Sequence, residues 1–169
     1  LAVDRAAVDS CLGLPGVVVN DAAHAQEHSL EVQLPFLQSV LASFELVPVV
    51  VGDASADEVA GLIDHLWGGP ETLVVVSTDL SHYLDYATAE RRDLATAGTI
   101  ERLDYTTLGP NDACGFSALN GALCAASRCG WRCTRARSRS CARPRRPASC
   151  RARWHPGSPT IRTATISCS

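Results

Sequence analysis

Three short runs of β-branched and aliphatic residues, "GVVVN" (16–20), "FELVPVVVG" (44–52) and "TLVVVS" (72–77), constrain this chain more than anything else in it. Each is nearly continuous in apolar side chains instead of alternating apolar with polar. A strand that buries both faces needs such a run, and strands of that kind belong to parallel sheets covered by helices on either side. The segments between them have helical character. "SADEVAGLIDHLW" (55–67) opens with Ser55 and Glu58 at capping-box spacing and is stopped by Gly68-Gly69. A helix is expected over about 26–43, disturbed at Pro35, whose missing N–H removes one helical hydrogen bond. "YATAERRDLATAGTIERLD" (86–104) and the small-residue stretch "GFSALNGALCAAS" (115–127) read as two more helices. The order β-α-β-α-β-α predicts an α/β domain with a mostly parallel sheet flanked by helices. In such sheets ligands gather outside the carboxyl ends of the strands.

Charge divides the 169 residues in two. Residues 1–126 carry all 18 acidic residues and four of the 15 basic ones (Arg5, Arg91, Arg92, Arg102), a net charge of −14. Residues 127–169 carry the other 11 arginines and no carboxylate side chain, together with five of the eight cysteines (Cys129, Cys133, Cys141, Cys150, Cys168). That tail has few aliphatic residues and no helical or strand period, so it has little with which to build a core. A basic arm for nucleic acid, a zinc module and a stretch translated out of frame are the three readings. Cys129 and Cys133 lack a second Cys/His couple at finger spacing, which counts against zinc. The chain uses no Lys, and abundant Ala and Gly point to a GC-rich gene. Out of frame, such a gene yields Arg, Pro, Ala, Ser, Cys and Trp, which is the make-up of "RCTRARSRSCARPRRPASCRARWHPG". A partial domain over 1–126 and a disordered or out-of-frame tail over 127–169 are therefore expected, with nucleic acid disfavoured as a partner. The start, "LAVDRAAVDS", has neither the basic region nor the apolar stretch of a signal peptide. No run reaches the ~18 apolar residues of a membrane span. These features lead us to expect a cytoplasmic protein without a membrane partner. With no Met anywhere, the chain is expected to begin inside a gene.

Three polar constellations carry chemistry. In "HAQEHSLEVQLPFLQ" (24–38), His24, Glu27, His28 and Glu31 fall on one face of an ideal helix, with Leu30, Val32, Leu34 and Leu37 on its buried side. His24, Glu27 and His28 also spell the His-x-x-Glu-His pattern of zinc hydrolases, in which the histidines hold zinc and the glutamate activates water. That alternative needs an unbroken helix through His24 and a distal carboxylate, Glu90 or Glu101; a solvated helix face is the plainer reading. "STDLSHY" (77–83) places Asp79 and His82 directly after a buried strand, where they can share a proton, orient each other or bind a metal. The plainer reading there is a helix cap built from Ser77, Thr78 and Asp79. "NDACGFSALNG" (111–121) sets Cys114 before a helix N-terminus, whose dipole favours the thiolate. Cys11 and Cys124 read as inert buried residues.

"EHSLEVQLPFLQ" (27–38), "VPVVVG" (47–52), "STDLSHY" (77–83) and "ACGFSALNG" (113–121) come in the order and approximate spacing of the Memo family. Residues 1–126 resemble that family, whose bacterial members are called AmmeMemoRadiSam system protein B. The resemblance implies the α/β fold of the class III extradiol dioxygenases, the LigB type. It also implies a pocket of two histidines and a cysteine for a transition metal, iron or copper. Matched motif by motif, it makes His28 and Cys114 metal ligands, His82 an acid/base group and Asp79 its orienting partner. The family's other ligand histidine lies in a Pro-His-Ala-Gly-like segment that this sequence does not contain, so the third ligand is absent and the domain incomplete. A parallel sheet without its outer strands exposes pairing edges, and a poorly stable or aggregating chain is expected. The function implied is that of a metal-site protein of redox or oxygenase-like character with an unknown small-molecule substrate. The alternative is a non-catalytic module that uses a vestigial pocket to bind peptide or protein. The bacterial name implies a radical-SAM partner.

Overall fold

The computed structural model describes residues 1–69, 71–130 and 161–168. Along the chain these form β1 (Ala2–Val3), α1 (Arg5–Cys11), α2 (Asp21–His24), α3 (Ser29–Val40), β2 (Phe44–Val51), α4 (Ala56–Leu66), β3 (Thr72–Val76), α5 (Tyr86–Glu101), α6 (Phe116–Arg128) and β4 (Ile161–Cys168). The strands make one sheet in the order β1-β2-β4-β3. Every pairing is parallel: Phe44 opposite Ile161 and Val51 opposite Cys168, with Thr72 opposite Arg162 on the far side of β4. The expected α/β architecture, a small parallel sheet flanked by helices, is the observed one.

β1, α1 and α2 are not expected from the sequence, and two further segments depart from it. "GVVVN" (16–20) is not a strand; Val18 and Val19 are 74% and 67% exposed, and β1 pairs with β2 in its place. The run begins at Gly16 in the left-handed region (φ 76°) and pairs with none of the described strands, so apolar composition alone does not make it a strand. In the tail, where no strand is expected from the sequence, residues 161–168 form β4 between β2 and β3. "IRTATISC" is rich in β-branched residues and lies where two parallel neighbours offer unpaired backbone groups. Residues 131–160, most of the predicted tail, lie outside the described residues.

The core forms where the helices meet the apolar strands. Val51, Val59, Ala60, Ile63, Ala118, Cys124 and Ala125 pack together, joining β2 to α4 and α6. A second cluster of Ala7, Cys11, Val47, Leu62 and Leu66 seats α1 on the same side. Gly121 of α6 is required there, because a Cβ at this position would run into the Val59 side chain. Arg128, at the end of α6, pairs with Asp57 and lies 3.7 Å from Asp64 of α4. The Ser55/Glu58 capping box is formed as expected: the Ser55 N–H donates to the Glu58 carboxylate at 2.8 Å, and the Glu58 N–H to the Ser55 hydroxyl at 3.3 Å.

Candidate metal centre at the carboxyl end of the sheet

β3 ends at Val76, and the chain leaves the sheet through Ser77, Thr78 and Asp79. No helix starts there, so these residues are not a cap; α5 begins at Tyr86 and is capped by Asp85. The loop is fixed from three directions. Gln33 of α3 donates from Nε2 to the Ser77 hydroxyl at 2.9 Å. Asp93 of α5 accepts from the Ser81 N–H at 3.1 Å. The loop before α6 lies against it, with the Cys114 N–H donating to the Asp79 carbonyl at 3.1 Å. Arg92 of α5 supports that second loop by donating to the Asn111 carbonyl at 2.9 Å, and Asn120 of α6 donates to the Leu108 carbonyl at 3.0 Å. Beneath it sits the third apolar cluster, Leu108, Ala113, Leu119 and Leu123.

This scaffold brings together Asp79, His82 and Cys114. A carboxylate oxygen, an imidazole nitrogen and the sulfur all lie within 4.8 Å of one another, and all three residues are exposed. His82 Nε2 is 3.7 Å from Asp79 Oδ2, too far for a hydrogen bond. The sulfur of Cys114 accepts the Asp79 N–H at 3.3 Å and lies 3.5 Å from the Thr78 hydroxyl. Donors around a small transition-metal ion sit about 2.0–2.3 Å from it, so neighbouring donors are separated by roughly 3.2–3.8 Å. The Asp79–His82 spacing falls in that range, and the sulfur lies within 4.8 Å of both other donors. A nitrogen, an oxygen and a thiolate sulfur together suit iron, copper, cobalt or zinc better than Mg²⁺ or Ca²⁺. Tyr83, directly after His82, is fully solvent-exposed with its backbone in the left-handed region (φ 57°), which is uncommon for a bulky residue.

His28 stands apart from this group. It is exposed and occupies the N-cap of α3 without a side-chain cap bond, on the helix whose Gln33 reaches Ser77. Among the described residues no cluster of three metal-ligating side chains includes His28, His24, Glu27, Glu90 or Glu101. The helix that a His-x-x-Glu-His site requires is broken: α2 stops at His24 and α3 starts at Ser29. Asn20 caps α2, and the Glu27 carboxylate turns back to accept the Ser29 N–H at 2.8 Å. That bond, made to the ionised form, holds the Glu27 carboxyl below its ordinary value. The buried side of α3 is also narrower than the spacing predicts: Leu37 is buried, whereas Val32 is 53% exposed. Cys11 and Cys124 are buried as expected, and burial pushes both thiols up. Gln33 and Gly115 are site residues that sequence reasoning did not single out, and Thr78 was read only as a capping residue; the signal for Gly115 was its place directly after Cys114.

The family model described as Memo-like protein matches residues 1–124. A MEMO1 family protein of Thermotoga neapolitana is 40% identical over 90 residues, covering 51% of this chain and 32% of the relative. One of Methanococcoides burtonii is 33% identical over 133 residues, covering 69% and 50%. One of Nitrosopumilus maritimus is 29% identical over 124 residues, covering 68% and 45%. The chain thus spans half or less of the length of each of these relatives. No solved structure matches it. The family match spans β1 to α6 and contains Asp79, His82 and Cys114. The chain therefore belongs to the Memo family.

Proposed function

We propose that this chain supplies part of a transition-metal site, with Cys114, His82 and Asp79 as donors and iron or copper as the candidate metals. The observation that carries the reading is the convergence of an N, an O and an S donor from two loops at the carboxyl end of one parallel sheet. A bound ion of this kind would supply redox or Lewis-acid chemistry toward a small ligand. The side chains of this protein hold the donor set in place, with the Asp79 N–H directed at the sulfur of Cys114. Their exposure leaves room for a further donor, the role that the family resemblance gives to His28 and to a histidine absent from this chain. Redox or oxygenase-like turnover of a small molecule is the activity we favour for the full-length relatives. A second reading, capture of a peptide beside the same loop, draws support from Tyr83, Leu84 and Tyr86, all exposed next to His82.

Cobalt(II) titration tests the metal reading, because a thiolate-to-cobalt charge-transfer band reports sulfur ligation directly. The band is expected in the wild-type chain and lost in Cys114→Ser, with affinity reduced at least about tenfold. A band that persists unchanged in Cys114→Ser would assign the metal to other cysteines and overturn the proposal.

A further inference from the structure

Thr78 sits where the two donor-bearing loops touch, and its hydroxyl makes contacts to both. Its Oγ1 accepts the Gly115 N–H at 2.8 Å, donates to the Asp79 carbonyl at 2.9 Å, and lies 3.5 Å from the sulfur of Cys114. Asp79 and Cys114 are meanwhile bonded to each other through the Cys114 N–H to the Asp79 carbonyl and the Asp79 N–H to the sulfur. Gly115 is buried, and a Cβ there would come within 2.8 Å of Thr78 Oγ1 and 2.9 Å of its Cβ. Threonine at 78 and glycine at 115 are thus fitted to each other: the glycine lets the backbone come close, and the hydroxyl satisfies the amide that the approach would otherwise strand.

We infer that Thr78 is a positioning residue, a latch that joins the loop after β3 to the N-terminus of α6 and so fixes the distance between Cys114 and the Asp79–His82 pair. The hydroxyl has one proton and two acceptors in reach, the Asp79 carbonyl and the Cys114 sulfur. It can therefore donate to either acceptor without leaving Gly115, since its lone pairs still accept that N–H. This role deepens the metal-site reading and rests on it for the spectroscopic consequence; the hydrogen-bond consequence is independent of any metal.

The test uses the full chain at low micromolar concentration with three variants, Thr78→Val, Thr78→Ser and Gly115→Ala. Cobalt(II) affinity is read from the thiolate band, and amide hydrogen exchange from the peptide containing Gly115. Thr78→Val should weaken cobalt binding about 10–100-fold and speed exchange in that peptide about three- to tenfold, whereas Thr78→Ser should keep both near wild type. Gly115→Ala should weaken cobalt binding as Thr78→Val does, by displacing the hydroxyl from the other side, and it supplies that result if the valine variant does not fold. If the wild type gives no thiolate band but exchange still separates valine from serine, the latch stands and the metal reading fails. Unchanged exchange and unchanged affinity in Thr78→Val, or an equal loss in Thr78→Ser, would overturn the latch.

Discussion

Cys114 differs from Cys11 and Cys124 in environment, and the difference is measurable. Cys11 and Cys124 are 4% and 1% exposed, and burial shifts their thiols away from the reactive thiolate form. Cys114 is exposed, with a backbone N–H directed at its sulfur. Brief alkylation of the native chain followed by peptide mass spectrometry should label Cys114 while Cys11 and Cys124 stay protected until denaturant is added. Equal labelling of all three under native conditions would contradict the packing described. Gly121 offers a packing test at the same scale. Gly121→Ala forces a methyl group against Val59 in the α4–α6 contact and should cost about 1–3 kcal/mol in urea denaturation.

At the scale of elements, α4 and α5 carry their own start signals. Ser55 caps α4 and Asp85 caps α5, each accepting a backbone N–H three residues on. Ser55→Ala should destabilise the chain by about 1 kcal/mol. Part of the pH dependence comes from Glu58 of the α4 capping box and Asp85 of the α5 cap. The Ser55 hydroxyl and N–H hold Glu58 below its ordinary value, and the Thr88 hydroxyl and N–H do the same for Asp85. Because the folded state lowers both, it binds these protons more weakly than the unfolded state does. Their stabilisation is complete above the ordinary carboxylate range and is lost as the pH falls through the lowered folded values. Urea midpoints followed from neutral to acid pH should therefore fall, and less steeply in Glu58→Gln; parallel curves would remove Glu58 from the account. α3 shows the opposite case, since Pro35 lies inside its 12 residues and the helix continues past it.

For the whole molecule, apolar surface left open is the dominant feature. Val32, Phe36 and Val40 lie four residues apart along α3 and are 53%, 68% and 74% exposed. Val18 and Val19 add to this surface, and β1 and β3 form the two edges of the sheet. Surfaces of that kind promote association between copies. The isolated chain should bind an apolar dye and self-associate as its concentration rises, measured by light scattering, and Phe36→Glu should reduce both. A monomer at all concentrations with no dye binding would show this surface to be covered. Among the described residues no helix is long and apolar enough to cross a membrane.

How much of this was legible in the sequence depends on how local each determinant is. The β-branched runs at 44–51 and 72–76, the capping box at Ser55 and the small-residue helix after Gly115 declare themselves through neighbours a few residues away, and they formed. Asp79, His82 and Cys114 were visible as chemistry, because polar and thiol groups after a buried strand or before a helix are conspicuous. Their convergence was implied only by the family resemblance and not by the residues themselves, since it depends on two positions 35 apart in the chain folding together so that the Asp79 N–H meets the Cys114 sulfur. The same limit explains where local sequence pattern and structure part. "GVVVN" has the composition of a strand but pairs with none of the described strands, and "IRTATISC" has partners that only the assembled sheet provides. His24 and His28 share a face on an ideal helix but not in the protein, where Asn20 caps one short helix and the Glu27 carboxylate accepts the first N–H of the next. Sequence fixed which groups could act, because side-chain chemistry and nearest-neighbour propensity are properties of the chain. Only the tertiary structure decided which of them meet, because strand pairing and loop contact are satisfied between segments far apart along it.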